Sequence, residues 1–87
     1  MKLSHWTAAL VLATLAVAPV ANAADARLAD CNKIDKVVAA ALETAQPGDT
    51  TDQARRERVA GHNYCGLSLY TVGVAHYTKA LQLLGKA

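Results

Sequence analysis

Two cysteines and, beyond the N-terminal region, two histidines are the side chains of this chain best suited to chemistry. His62 and Cys65 are three residues apart, so on a helix they lie on one face and would suit a shared metal ion or a cysteine–histidine pair. His76 is about four helical turns beyond His62, too far for both to bind one ion on a straight helix. Zinc takes three or four ligands, and the sequence offers no such cluster, so we predict no metal and no cofactor.

Motifs typical of enzymes do not occur in the sequence. It contains no glycine-rich phosphate-binding loop, no nucleophile elbow and no paired carboxylates. The basic run of Arg55, Arg56 and Arg58 is diluted by Glu57 and is typical of a solvated helix face. The net charge of +2 is too small to steer nucleic acid. We therefore predict that the protein is not an enzyme and has no nucleic-acid partner.

The N-terminal region has the pattern of a secretory signal peptide. Lys2 is followed by an almost wholly apolar stretch at residues 6–20 and then by Ala21-Asn22-Ala23, whose small residues suit signal peptidase. We predict a cleavable signal at residues 1–23 and an exported protein, periplasmic if the source is bacterial. The alternative is an uncleaved anchor, which the short apolar stretch disfavours because a membrane span needs about 20 apolar residues.

The exported part is predicted to be all-α, an antiparallel two-helix hairpin. Apolar residues recur at steps of three and four across residues 25–46, which indicates the first helix. Pro47 and Gly48 favour a turn at residues 47–50, because proline disrupts a helix and glycine tolerates unusual backbone angles. A second helix is then expected over residues 51–84.

The two cysteines are predicted to form a disulfide that closes this hairpin. Cys31 lies 17 residues before Gly48 and Cys65 lies 17 residues after it. In an antiparallel hairpin such residues stand at the same height, and both fall on the apolar stripes that face each other. Export to an oxidising compartment favours the bond, whereas two separate thiols or an intermolecular bridge are the alternatives.

The second helix is predicted to extend beyond the first. The first helix covers it only to about residue 71, which leaves residues 72–84 too apolar to stand in water. A break at Gly73 would let this segment fold back as a third helix, because glycine weakens a helix interior by up to about 1 kcal/mol. Otherwise two copies would pair through it, or it would contact another protein or a membrane surface.

An interaction surface is predicted along the same segment. Small and aromatic residues alternate there at seven-residue spacing, which favours a closely packed neighbouring helix. We expect a homo-oligomer or a second envelope protein as the partner, and regard a membrane surface as less favoured. The predicted surface consists of Tyr70, Gly73, Val74, Tyr77, Leu81 and Leu84.

The function that these patterns favour is that of a small exported binding or structural module. A small-ligand or metal carrier is the alternative. It would use the two histidines and two of the tyrosines, namely His62, His76, Tyr70 and Tyr77.

Overall fold

The computed structural model describes residues 25–86, which form three α-helices and no strand. Helix α1 is Leu28–Glu43, α2 is Asp49–Gly66 and α3 is Tyr70–Leu83. The all-α prediction is confirmed, but the two-helix hairpin is wrong because the second predicted helix is divided in two. The predicted signal peptide at residues 1–23 lies outside the described residues.

The first connection is a short turn at the predicted place. Gly48 has a φ of 155°, which side-chain-bearing residues rarely adopt, and it leads directly into α2 at Asp49. Asp49 and Asp52 lie in the first turn of α2, where carboxylates interact favourably with the positive end of the helix. Thr51 is buried, and its hydroxyl donates a hydrogen bond to the carbonyl oxygen of Gln46, which ties α2 back to the end of the turn.

The break in the second predicted helix lies at residues 67–69, which we call the elbow, and not at Gly73. The amide of Leu69 donates to the carbonyl of Tyr64, and the amide of Ser68 donates to that of Cys65. This pair of bonds is the Schellman arrangement that ends many helices, with a left-handed residue at its centre. That residue is Ser68, whose φ is 64°. Serine is not the residue that normally signals this motif, so the sequence pattern did not indicate the elbow.

Helix α3 folds back along α2, which buries or half-buries most of the apolar residues of the segment that had been expected to project. Tyr77 and Ala80 of α3 are 1% and 0% exposed. Folding back as a third helix was one of the three predicted ways to hide this segment. The end of α3 repeats the Schellman arrangement with Gly85 in the left-handed position, at a φ of 72°. The buried apolar core joins all three helices and contains Cys31, Val38, Leu42, Ala54, Cys65, Tyr77 and Ala80.

Helices α2 and α3 approach closely because each has a glycine at the contact between them. A Cβ atom built at Gly61 of α2 would lie 2.8 Å from the ring of Tyr77. A Cβ atom at Gly73 of α3 would overlap with the sulfur of Cys65 and lie 2.9 Å from the carbonyl oxygen of Gly61. Gly73 is therefore a contact residue inside α3, and this contact explains why the chain needs glycine there although the helix does not break.

The predicted disulfide is confirmed. Cys31 and Cys65 are bonded, with Cα atoms 6.4 Å apart, and they join α1 to α2. Both residues are buried in the core, with Gly73 of α3 seated against the Cys65 sulfur. Within residues 25–86 no helix is long and apolar enough to cross a membrane.

Candidate functional site

An open apolar groove runs between α1 and α3. Its volume is about 430 Å³. Ile34 and Val37 of α1 form one wall, and Val74 and Leu81 of α3 form the other. Val37 is 49% exposed, whereas the other three wall residues are half-buried and pack against the core. The remaining residues that line the groove are Ala26, Asp30 and Lys33.

Rigid elements position both walls of this groove. Ile34 and Val37 are three residues apart on α1, and Val74 and Leu81 are seven residues apart on α3, so each pair lies on one face of its helix. The disulfide fixes α1 to α2, and the two glycine contacts fix α3 to α2. The groove is therefore held open by the fold without depending on a loop. Such a surface suits an amphipathic helix, whose apolar face presents residues at the same spacing.

A pair of opposite charges is among the residues that line the groove. Asp30 and Lys33 are both exposed on α1 and are one helical turn apart. A side-chain oxygen of Asp30 accepts a hydrogen bond of 2.8 Å from the backbone amide of Arg27, which helps to begin α1. These charges give an otherwise apolar groove a polar marker that can set the register of a bound helix.

The structure divides the predicted interaction surface into three parts. Val74 and Leu81 line the groove. Leu84 is half-buried beside the turn between α1 and α2, and Tyr70 is half-buried near the elbow. Gly73 and Tyr77 are buried between the helices, so they are not accessible to a partner in this structure.

Sequence reasoning missed the contribution of α1 to the groove. The interaction surface predicted from the sequence includes neither Ile34 nor Val37. A signal was present, because Val37 continues the three-residue step from Ile34 on a face that the two-helix hairpin would leave exposed. Only the position of α3 shows that this face becomes one wall of a groove.

A second cleft, of about 390 Å³, lies over the disulfide between α1 and α2. Asp35 forms a two-point salt bridge with Arg58, with distances of 2.9 and 3.2 Å. The hydrogen bond from Arg58 lowers the pKa of Asp35 below its usual value. Burial raises the pKa of Tyr77, which also forms a hydrogen bond with Asp35, to about 12. These groups satisfy one another, so the arrangement indicates a structural link between the helices. Lys36 and exposed His62 stand at its rim.

A third cluster joins α2 to α3. Glu57 and the Nδ1 atom of His76 are 2.7 Å apart, and Lys79 lies 3.6 Å from the other oxygen of Glu57. The ring of His76 also stacks on Tyr64, with ring centres 5.1 Å apart. The hydrogen bond with His76, followed by the charge of Lys79, lowers the pKa of Glu57 although burial of this carboxyl opposes the shift. This cluster holds α3 against α2.

The four residues of the alternative carrier site are not brought together. His62 faces the cleft with α1, whereas His76 contacts Glu57 and Tyr64. The Tyr70 hydroxyl faces Ser68, and only Tyr77 shares a cleft with one of the histidines. In the part of the chain that the structure describes, no group of three or more histidine, cysteine, aspartate or glutamate side chains could hold a metal ion.

Exposed leucines surround the elbow at one end of the bundle. Leu67 and Leu69 are 68% and 47% exposed, and Val72 and Leu28 are also exposed nearby in the fold.

No known protein family, curated protein or solved structure matches this chain.

Proposed function

We propose that this protein is a small exported binding module whose α1/α3 groove holds an amphipathic helix of a protein partner. The observation that carries this proposal is the groove itself, which is open, apolar and walled by two helices. Val37 is 49% exposed, and complete burial of a valine side chain contributes about 1.5 kcal/mol or more, so a partner that covers Val37 gains part of that energy. A few such residues at helical spacing are the usual anchors of helix-in-groove recognition.

Export is part of the same proposal. The sequence pattern of residues 1–23 favours a secretory signal, and a buried disulfide is compatible with an oxidising compartment. In a bacterium the protein would act in the periplasm. The role is proposed to be non-catalytic, because the polar groups of the disulfide cleft are engaged with one another and not aimed at a substrate.

The carrier function has less support than a binding module. A carrier would need His62, His76 and the tyrosines around one ligand, and they lie in separate surroundings. The α1/α3 groove in turn has an almost wholly apolar lining with no histidine, so it suits a protein helix better than an ion.

Site-specific photocrosslinking in an exporting host tests the groove as a binding surface. A photoreactive phenylalanine analogue replaces Val37 in the groove, and in a matched control it replaces Val59, which is 59% exposed on α2 outside the groove. We expect discrete protein adducts from position 37 that the control does not form, and loss of these adducts when Leu81 is changed to Glu. Equal labelling from positions 37 and 59, or adducts that survive Leu81→Glu, would overturn the proposal.

A further inference from the structure

The elbow lies in the middle of a long uncharged part of the chain. Between Arg58 and Lys79 the 20 residues 59–78 include no aspartate, glutamate, lysine or arginine. This run comprises the end of α2, the elbow and the start of α3. Burial accounts for only part of it, because Leu67 and Leu69 at its centre are 68% and 47% exposed. The joined ends of α2 and α3 therefore present an apolar surface without charges to solvent.

The nearest charged side chains of α2 and α3 lie well below the elbow. Arg58 and Lys79 both take part in ion pairs with residues of neighbouring helices. Arg58 precedes Leu67 by nine residues, and Lys79 follows Leu69 by ten. These separations correspond to about 13 Å and about 15 Å along a helix axis. Apolar helix surfaces that lie in a bilayer interface are buried to a depth of about 5–10 Å, so the uncharged part is long enough to enter the interface while these charges stay in water.

The polar groups of the elbow are hydrogen-bonded within the protein. The amides of Leu67, Ser68 and Leu69 all donate to carbonyl oxygens in the last turn of α2. The hydroxyl of Tyr70 donates to the hydroxyl of Ser68 at a distance of 3.4 Å. Because an unsatisfied backbone donor is costly where water is scarce, these bonds suit the elbow to such a region. Tyrosine is itself enriched at membrane–water interfaces.

The start of α1 lies at the same end of the bundle. Leu28, the first residue of α1, is 52% exposed and lines the disulfide cleft together with Gly66 at the end of α2. The charged side chains in the first turn of α1 or just before it are Asp25, Arg27 and Asp30, all exposed, and their formal charges sum to −1. This end of the molecule therefore has no positive field that would attract anionic lipid.

We propose that the elbow docks on the surface of a lipid bilayer, with the side chains of Leu67 and Leu69 inserted into the interface. This contact goes beyond the proposed function, because none of the three elbow residues is among those that line the α1/α3 groove. Few residues of a three-residue connection can meet one protein partner, whereas a standard protein interface buries about 800 Å² on each side. Lipid molecules can instead surround a small protruding segment from all sides.

Export places this end of the molecule close to a membrane. The predicted signal at residues 1–23 is joined to α1 by residues 24–27 alone. Four residues span at most about 14 Å when fully extended. While the signal is held in the export membrane, the elbow end is therefore the part of the folded domain nearest to the bilayer, and a bilayer is the occupant within its reach.

Flotation with lipid vesicles tests the contact. The oxidised protein is purified after expression of the full chain in a secreting host, intact mass confirms the loss of residues 1–23, and the protein is mixed with phosphatidylcholine vesicles. The unchanged protein should float with the vesicles equally at low and high salt, because the contact is apolar. Replacing Leu67 and Leu69 together with glutamine should weaken binding by about tenfold or more. Val59→Gln should leave binding unchanged, because Val59 is 59% exposed on α2 but lies about two helical turns from the elbow.

A fluorescent probe makes the test independent of how well the double variant folds. Trp6 is the only tryptophan of the chain and belongs to the predicted signal, so a tryptophan introduced into the exported part reports its own surroundings. The emission of Leu67→Trp should shift to shorter wavelength when vesicles are added, and brominated lipids should quench it. The matched control, Val59→Trp, should show neither change. Circular dichroism confirms that both variants remain helical.

Each outcome either supports the bilayer contact or overturns it. The proposal fails if the unchanged protein does not float, if the double substitution leaves flotation unaffected, or if positions 67 and 59 respond equally. Binding that requires anionic lipid and disappears in high salt would show an electrostatic contact in place of the proposed apolar one. If light scattering shows that the double substitution halves the native mass, the elbow pairs two copies and does not meet lipid. The crosslinking at position 37 is a separate measurement, so the proposed function of the groove stands or falls without regard to these results.

Discussion

Replacing Gly73 with alanine tests the closest contact between α2 and α3. The added Cβ atom would overlap with the Cys65 sulfur and lie 2.9 Å from the Gly61 carbonyl oxygen and 3.0 Å from the Cys65 amide nitrogen. None of these neighbours is the free end of a flexible side chain. The sulfur is held by the disulfide to Cys31, and the other two atoms are helix backbone. Relief therefore requires α3 to move away from α2.

The expected destabilisation is large for a chain of this size. Overpacking a core costs about 1–3 kcal/mol, and the rigid surroundings place Gly73→Ala at the upper end of that range. The better helix propensity of alanine returns at most about 1 kcal/mol. Because a domain this small has a total stability of about 3–5 kcal/mol, a net loss of about 2 kcal/mol is a large fraction of it.

Urea unfolding followed by circular dichroism measures this loss. Gly66→Ala is the matched control, because a Cβ atom at Gly66 of α2 would meet nothing within 4 Å. The control should be neutral or stabilising, whereas Gly73→Ala should lower the unfolding midpoint markedly. If both substitutions have the same effect, or if Gly73→Ala is stabilising, the close approach of α2 and α3 described above is incorrect.

Three further outcomes are expected. Replacing Cys31 and Cys65 together with serine should lower the unfolding free energy by about 3–4 kcal/mol in the chain-entropy treatment of a loop of this length, and urea titration with and without reductant should show that the unchanged protein becomes equally unstable when reduced. The folded-state pKa values of Glu57 and Asp35 lie below their ordinary values of 4.5 and 3.8, so the stability that these carboxylates contribute is complete above those values and is lost as the pH falls through the lower folded-state values. Thermal unfolding from pH 7 to pH 2 should show this loss of stability, and the loss should be smaller for Glu57→Gln. A pH profile that Glu57→Gln leaves unchanged would contradict the contact of Glu57 with His76. Ser68→Gly should stabilise the protein by about 1 kcal/mol, because glycine adopts the left-handed conformation at the elbow without a steric cost, and an unfolding midpoint at or below that of the unchanged protein would contradict the elbow geometry.

The candidate groove could be predicted only in part. Val74 and Leu81 were recognised because the apolar segment at residues 72–84 exceeds what the first helix can cover. Ile34 and Val37 were not, because the side of α1 that remains open depends on where α3 docks. Tyr77 and Gly73 have the same apolar or small character as the groove residues, yet they are buried. Residue type alone therefore does not tell the buried positions from the groove positions, because the difference lies in which neighbouring helix each residue contacts.

The sequence by itself determined the features of this protein that depend on interactions between residues of one hairpin. Helical periodicity, the turn at Gly48 and the equal spacing of the cysteines from this turn all act within one hairpin, and the resulting α1–α2 pair and disulfide are present. The tertiary structure decided the rest. Ser68 accepts a left-handed backbone although no sequence rule favours it there, because the turn it forms lets Tyr77 bury its ring against Gly61. The energy gained by packing α3 on α2 exceeds the cost at one residue, and that balance depends on contacts between residues far apart in the chain.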